Sequence, residues 1–333
     1  MEKSRSRRPI ERNIAMELVR ATEAAAMAAA RYLGMGNKKM VDQAAVDAMR
    51  FVLGYVSMEG IVVIGEGEKD EAPMLYIGEQ IGNSPELKVD IAVDPVDGTT
   101  LVANGLPEAI SAVALSARGT MHCPRQFVYM DKIVVGPEAR DVVHINAPVA
   151  ENLKNIASVK KREISDLTVV VLDRPRHERL LSEIRAAGAR VKLIPAGDIV
   201  AGIQAALPET GVDALMGIGG TPEGVLTAAA VRCIGGVIQC KAWPRNDEER
   251  NAALAAGVDP DRVYYTENLV NSEDVFFAAT GVSSGELLKG VRYFSGGAET
   301  HSLVTRSSSG TVRWVEAKHN FDRLNKLTFL ERS

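Results

Sequence analysis

The chain has 333 residues, 46% of them hydrophobic, which is enough for two packed domains with a sizeable core and predicts a soluble globular protein. A net charge of -4 argues against the basic face that duplex binders present, so nucleic acid is not an expected partner and a small anion held by a metal fits better. No uncharged apolar stretch reaches the length of about 18 residues that a membrane span needs, so none is expected and the predicted location is cytoplasmic.

The opening basic run of Lys3, Arg5, Arg7 and Arg8 reads as a loose arm, since charged Glu11 and Arg12 follow before any apolar segment of signal length. Ile14, Leu18, Ala21, Ala25, Ala29 and Leu33 then recur at helical spacing, and Gly34 with Gly36 supplies a stop. A second helix is predicted from about Val41 to Tyr55, with Lys38, Lys39 and Asp42 in the connection and first turn. Ile61 to Ile64 is a buried strand that runs into the acidic, glycine-rich loop Gly65 to Glu71. Ile91 to Val93 is another, which Pro95 is expected to stop in a central position. Ile110 to Leu115 and Phe127 to Val135 read as further strands, the latter carrying Tyr129, Asp131 and Lys132. Residues 1–160 therefore read as an α+β domain with a mixed or antiparallel sheet.

After the charged stretch Glu151 to Asp166, strands and helices alternate, so residues 161–333 read as an α/β domain. The predicted strands are Thr168 to Leu172, Val191 to Ile194, Val212 to Met216 and Val237 to Gln239. The helices lie near Pro175 to Ala187, Asp198 to Ala206 and Pro222 to Cys233. Val275 to Ala279 adds a strand, and Ser302 to Arg306 with Thr311 to Ala317 forms a hairpin around Ser307 to Gly310. Cys123, Cys233 and Cys240 are odd in number and lack paired spacing, which argues against a disulfide framework and against structural zinc.

The run Asp94-Pro95-Val96-Asp97-Gly98-Thr99 puts two carboxylates, a glycine and a hydroxyl on one turn past an apolar strand, a set suited to a hard cation facing a phosphate. Taken alone Glu66 is a solvated loop acid, but flanking glycines suit a backbone passing close to a ligand, and Glu66 meets Asp94 if their strands are neighbours. Oxygen ligands without His or Cys select Mg²⁺ or Mn²⁺. The histidines are scattered, and only His177, beside Arg176, is worth watching. Gly217 to Gly224 reads as a glycine-rich turn from a strand into a helix, with Thr221 as N-cap and Pro222 in the first helical turn; this is an anion site but a poor dinucleotide fingerprint, and Glu223 there can complete a cation site. Arg174-Pro175-Arg176 puts two guanidiniums at a strand's carboxyl end, where a second phosphate would be held.

Together these segments resemble the class II fructose-1,6-bisphosphatases of the GlpX type, relatives of the inositol monophosphatases. The likeness runs from about Glu17 to Asn320 and rests on Gly36 through Asp42, Ile64 through Glu68, Asp70 through Gly78, Asp94 through Thr99, Tyr129 through Lys132, Val135 through Pro137, Arg174 through His177, Gly197-Asp198 and Gly217 through Gly224. Asp-Pro-x-Asp-Gly-Thr marks only the superfamily, whereas the Gly-Glu-Gly-Glu loop and the Pro-Glu-Gly helix start single out this class. The resemblance implies a layered α/β/α/β/α sugar-phosphatase fold, α/β and α+β in class, with the active site between two domains. It implies metal ligands at Asp42, Glu66, Asp94, Asp97 and Glu223, with Thr99 positioning the attacking water, Asp70 helping to activate it and Lys38 neutralising charge. Gly98, Thr99, Tyr129, Arg174, Arg176, Asp198 and Gly220 would hold the substrate. Two departures stand out: Ala196 lies where the family often has an acid, and Asp97 is Glu in some relatives.

The implied activity is Mg²⁺- or Mn²⁺-dependent hydrolysis of the 1-phosphate of fructose 1,6-bisphosphate, in gluconeogenesis or a reductive pentose cycle, by a homodimer or homotetramer. A dual enzyme that also takes sedoheptulose 1,7-bisphosphate is the nearer alternative. An inositol or nucleotide monophosphatase is the more distant one.

Overall fold

The computed structural model describes residues 13–67 and 74–324, so Asp70 and the basic run Lys3 to Arg8 lie outside the described residues. The chain opens with α1 (Ile14–Ala30) and α2 (Lys38–Leu53). Leu18, Ala21, Ala25 and Ala29 are fully buried on one face of α1, and the small alanines let α2 and the sheet beneath approach closely. α2 begins three residues before the apolar periodicity does, because the Asn37 side chain accepts a hydrogen bond from the Met40 amide at 3.1 Å and caps the helix. Lys38 and Asp42 are thereby both helical.

Next come β1 (Glu59–Ile64), β2 (Gln80–Ile81), β3 (Lys88–Asp97), α3 (Thr99–Ala103), β4 (Ile110–Ala117), β5 (Tyr129–Val135) and α4 (Val149–Lys160). The middle of the chain supplies β6 (Thr168–Leu172), α5 (Glu178–Ala186), β7 (Arg190–Ile194), α6 (Asp198–Ala206), β8 (Ala214–Gly220), α7 (Thr221–Ile234) and β9 (Val237–Ala242). It ends with α8 (Asp247–Ala255), β10 (Val263–Tyr265), α9 (Thr266–Leu269), β11 (Val275–Gly281), β12 (Arg292–Phe294), β13 (Gly297–Arg306) and β14 (Thr311–Asn320).

Among the described residues the strands form an eight-stranded sheet in the order β12-β13-β11-β4-β3-β1-β2, with β14 also on β13, and a six-stranded sheet in the order β10-β9-β5-β8-β6-β7. Both sheets are mixed: β1 and β3 are parallel in the first, β6 is parallel to β7 and β8 in the second, and the other pairs are antiparallel. One apolar core joins α1 and α2 to the first sheet, a second joins α6 and α7 to both sheets, and a third joins α4 and α5 to the far face of the second sheet. The order of layers is α/β/α/β/α, as the resemblance implies.

Two expectations are corrected here. Pro95 does not stop its strand: β3 runs on to Asp97, and the pairing with β4 passes from Asp94↔Ala112 to Asp97↔Ile110, an extra residue on the β3 side. A bulge leaves a residue unpaired, so the missing N–H of proline is tolerated in a central strand and the chain re-aims its carboxylates. Gly217 to Gly220 is not a turn but the second half of β8, paired residue by residue with Lys132 to Tyr129. β5 joins the second sheet, while β11 to β14 return to complete the first.

Candidate active site

Because β1 and β3 are parallel neighbours, Glu66, just past β1, and Asp94, on β3, arrive at the same end of the first sheet. Glu66 is held by its own amide, which donates to the Leu75 carbonyl at 3.1 Å. A Cβ on Gly65 would lie 1.9 Å from that oxygen, so only glycine lets the two arms of the loop close together. Although Glu66 is exposed as a residue, the burial of its carboxyl group and then the charge of Asp42 push its pKa up to about 7.

Asp94 and Asp97 are both driven well above the usual carboxylate range, first by burial and then by like charge. Asp94 feels Asp97, Glu223, Glu66 and Asp198; Asp97 feels Asp198 and Glu223. Asp97 Oδ2 accepts the Ile199 amide at 3.2 Å and so ties the end of β3 to the first turn of α6, where Asp198 sits. Glu223 enters from the first turn of α7, its pKa raised by burial and by Asp198. Its Oε2 is buried with no hydrogen-bond partner. A Cβ on Gly220 would lie 2.0 Å from that oxygen, so this glycine makes the room that Glu223 occupies.

Thr99 opens α3 and donates from Oγ1 to Asp42 Oδ1 at 2.6 Å, linking the turn after β3 to α2. Asp42 itself is raised by burial, partly offset by the Thr99 hydrogen bond and by Lys38 one turn before it. Gly98 holds φ at 94°, the left-handed conformation that swings the chain from β3 into α3. The structure thus brings Asp42, Glu66, Asp94, Asp97, Thr99 and Glu223 together, with Asp198 beside them and Lys38 at the edge.

These carboxylates are neighbours without forming a closed cage. Among the described residues no three His, Cys, Asp or Glu side chains are arranged as a ready-made metal site. Their chemistry nonetheless fits a hard divalent cation: the donors are all oxygens, their proton affinities are raised by burial and then by mutual repulsion, and one buried oxygen is orphaned. The first acid of this strand is different. Asp90 accepts the Thr120 and Met121 amides at 2.8 and 3.1 Å, which makes it a cap on the turn after β4.

On the second sheet Arg176 lies over the Tyr129 ring, 4.9 Å from its centroid, and donates to the Ile218 carbonyl at 2.9 Å, while its buried Nε has no partner. Asp198 and Arg174 are close enough to act on its charge. Arg174 donates to the Asp173 and Pro195 carbonyls. His177 is structural: Nδ1 meets the Leu172 carbonyl at 2.6 Å and Nε2 accepts the Ile218 amide at 2.7 Å, clipping β6 to β8. Thr221 is the first residue of α7 rather than its cap, and its hydroxyl donates to the Phe127 carbonyl. All three cysteines are free, and burial pushes Cys123 up to about 11 and Cys233 and Cys240 up to about 12, which keeps the thiols protonated.

Lys132 was given no role by the sequence reading. Its buried ammonium lies 2.7 Å from Asp198 Oδ2. The available signal was a lysine inside the otherwise apolar segment Ile133 to Val135 and Met130, on a strand too deep for a solvated cation.

The family model for bacterial fructose-1,6-bisphosphatase, glpX-encoded, matches residues 12–319. The chain is 46% identical to a D-fructose 1,6-bisphosphatase class 2/sedoheptulose 1,7-bisphosphatase of Synechococcus sp. (strain JA-2-3B'a(2-13)), over 94% of this chain and 97% of that protein. It is 45% identical to the protein of the same name from Thermosynechococcus vestitus, over 93% and 96%. Among solved structures, the extragenic suppressor protein suhB from Bartonella henselae shares 15% identity over 58% of this chain and 73% of that one, with a TM-score of 0.34, too low to bear on the fold. With a family model covering nearly its whole length and relatives at this identity, the chain belongs to the GlpX-type, class II fructose-1,6-bisphosphatase family.

Proposed function

We propose that this phosphoric monoester hydrolase releases the 1-phosphate of fructose 1,6-bisphosphate as inorganic phosphate, using Mg²⁺ or Mn²⁺ held among Asp42, Glu66, Asp94, Asp97 and Glu223. The observation that carries the reading is the gathering of these carboxylates, with the orphaned Glu223 oxygen, around the Thr99 hydroxyl in a chain of this family. When bound, such cations lower the pKa of a water, polarise the phosphoryl oxygens and stabilise the leaving alkoxide.

The chain's own groups do the positioning. The Thr99 proton is directed at Asp42 Oδ1, so the remaining lone pairs of Oγ1 are free to accept from a water and aim its oxygen at phosphorus. Lys38, at the start of α2, offsets charge near Asp42. Asp70, outside the described residues, is assigned to help activate the water. Arg176, with an unused Nε and a face packed on Tyr129, holds the distal phosphate together with Arg174. Asp198 accepts from the sugar hydroxyls, and the backbones of Gly98 and Gly220 border the same space.

Phosphate release from fructose 1,6-bisphosphate with either metal in excess tests the reading, and no release with both would overturn it. A second reading, suggested by the names of the cyanobacterial relatives, is that sedoheptulose 1,7-bisphosphate is also a substrate. Comparing kcat/KM for the two sugars decides it. A cytoplasmic homodimer or homotetramer completes the proposal, and sedimentation showing only the 35.8 kDa species would contradict the assembly.

A further inference from the structure

We infer that Lys132 is a positioning residue for substrate recognition: its ammonium, threaded between two glycines, holds the Asp198 carboxylate aimed at the sugar. The inference rests on the reading of Asp198 given above. Lys132 lies on β5 with its side chain 1% exposed, and its Nζ is 2.7 Å from Asp198 Oδ2, at the first turn of α6.

The route it takes is built by its neighbours. A Cβ on Gly219 of β8 would fall 2.1 Å from Asp198 Oδ2 and 2.9 Å from Lys132 Nζ. On the other side, a Cβ on Gly224 of α7 would already touch Lys132 Cε at 3.4 Å and Nζ at 3.7 Å. The slot therefore admits an ammonium on a straight stem and leaves no width for a planar guanidinium. Burial works against the charged form of Lys132, but the charges of Asp198 and Glu223 outweigh it and raise its pKa, so the charge is fixed at neutral pH. Asp198 gains a hydrogen-bonded partner on one oxygen, which sets the plane of its carboxylate and leaves the other oxygen to accept from a ligand. A buried ion pair of this kind contributes little net stability and is better understood as a device for orientation.

The test is a double-mutant cycle on the full-length enzyme with saturating Mn²⁺. Lys132→Met should raise KM for fructose 1,6-bisphosphate about tenfold, weaken calorimetric binding of fructose 6-phosphate equally, and leave kcat within about threefold. Adding Asp198→Asn to Lys132→Met should cost no more than Asp198→Asn alone, because both remove the same oriented group. Lys132→Arg should not rescue. Should Lys132→Met fail to fold, Gly219→Ala displaces the pair without removing a charge and should show the same KM-selective loss. Additive losses in the double mutant, or a fall in kcat with KM unchanged, would overturn the inference. If Asp198→Asn itself leaves KM unaltered, the reading of Asp198 falls and the inference falls with it. If Asp198→Asn raises KM and Lys132→Met does not, the reading stands and the inference alone fails.

Discussion

Replacing Gly220 with alanine isolates the placement of Glu223 from its chemistry. At φ -63° and ψ 145° the backbone accepts any residue, so Gly220→Ala adds no conformational strain. The added methyl would nevertheless sit 2.0 Å from Glu223 Oε2 and 2.7 Å from its Cδ, well inside van der Waals contact. The carboxylate must therefore retreat by about 1 Å or more, and a misplacement of that size in an oriented site costs roughly a hundredfold in rate, or about 2.7 kcal/mol. Steady-state phosphate release at saturating substrate and Mn²⁺ should show kcat down by about that factor, with the thermal midpoint little changed. Gly188→Ala is the matched control, because Gly188 has φ 96° and nothing within 4 Å of a new Cβ, far from the site. It should lose about 1–2 kcal/mol of stability to left-handed strain and keep its kcat. Activity of Gly220→Ala within about threefold of the parent, or an equal loss in the control, would refute the reasoning.

Asp94→Asn removes charge from the middle of the carboxylate group, and activity should fall at least about a thousandfold without rescue by added metal, whereas Glu223→Gln should recover part of its rate in high Mn²⁺. A reversed rescue pattern would show that Asp94 is not the central ligand of the proposed site. Glu66, with its pKa raised to about 7 from an ordinary 4.5, holds a proton that a cation must displace, so calorimetric Mn²⁺ affinity should weaken about fivefold from pH 7 to pH 6 and level off above pH 8. In the metal-free protein the same shift has the opposite sign for folding: the Glu66 contribution is fully present below about pH 4.5 and is lost as pH rises through about 7, readable from denaturant midpoints. Arg176→Ala should raise KM for the bisphosphate roughly ten- to a hundredfold while hydrolysis of a small monophosphate changes little; equal loss on both would remove Arg176 from the distal phosphate.

Much of the site was legible because its acids sit next to strong local signals. Ile61 to Ile64 and Ile91 to Val93 read as strands from apolar character alone, and acids at their ends follow. The Pro95 reading failed because a bulge is set by pairing with β4, which the local sequence does not announce. Gly217, Gly219 and Gly220 looked like a turn because their cause lies elsewhere: the His177 ring, the Asp198 carboxylate and the Glu223 carboxylate need the space a side chain would fill. The Lys132–Asp198 pair spans 66 residues, and no periodicity links its members. Asp90 shows the reverse error to guard against, an acid in the right run whose hydrogen bonds are already spent on amides.

The return of β11 to β14 to the first sheet also bears on how the polypeptide is made. β4 pairs with β3 on one side and with β11 on the other, and Ile110 to Leu115 are buried between them. On a ribosome β4 emerges long before residue 275, and at ordinary elongation speeds its second edge waits roughly ten to thirty seconds for a partner. Throughout that interval an apolar strand presents unpaired amides and carbonyls to whatever is nearby. The second sheet and the helices between the layers are synthesised during the same wait, with Asp94 and Asp97 of β3 already made and Glu223 of α7 following before residue 275. Because Asp42, Glu66, Asp94, Asp97 and Glu223 all precede β11, the acids of the site are complete in the nascent chain while the sheet that carries Asp94 and Asp97 still has an open edge, and β11 to β14 close that edge last.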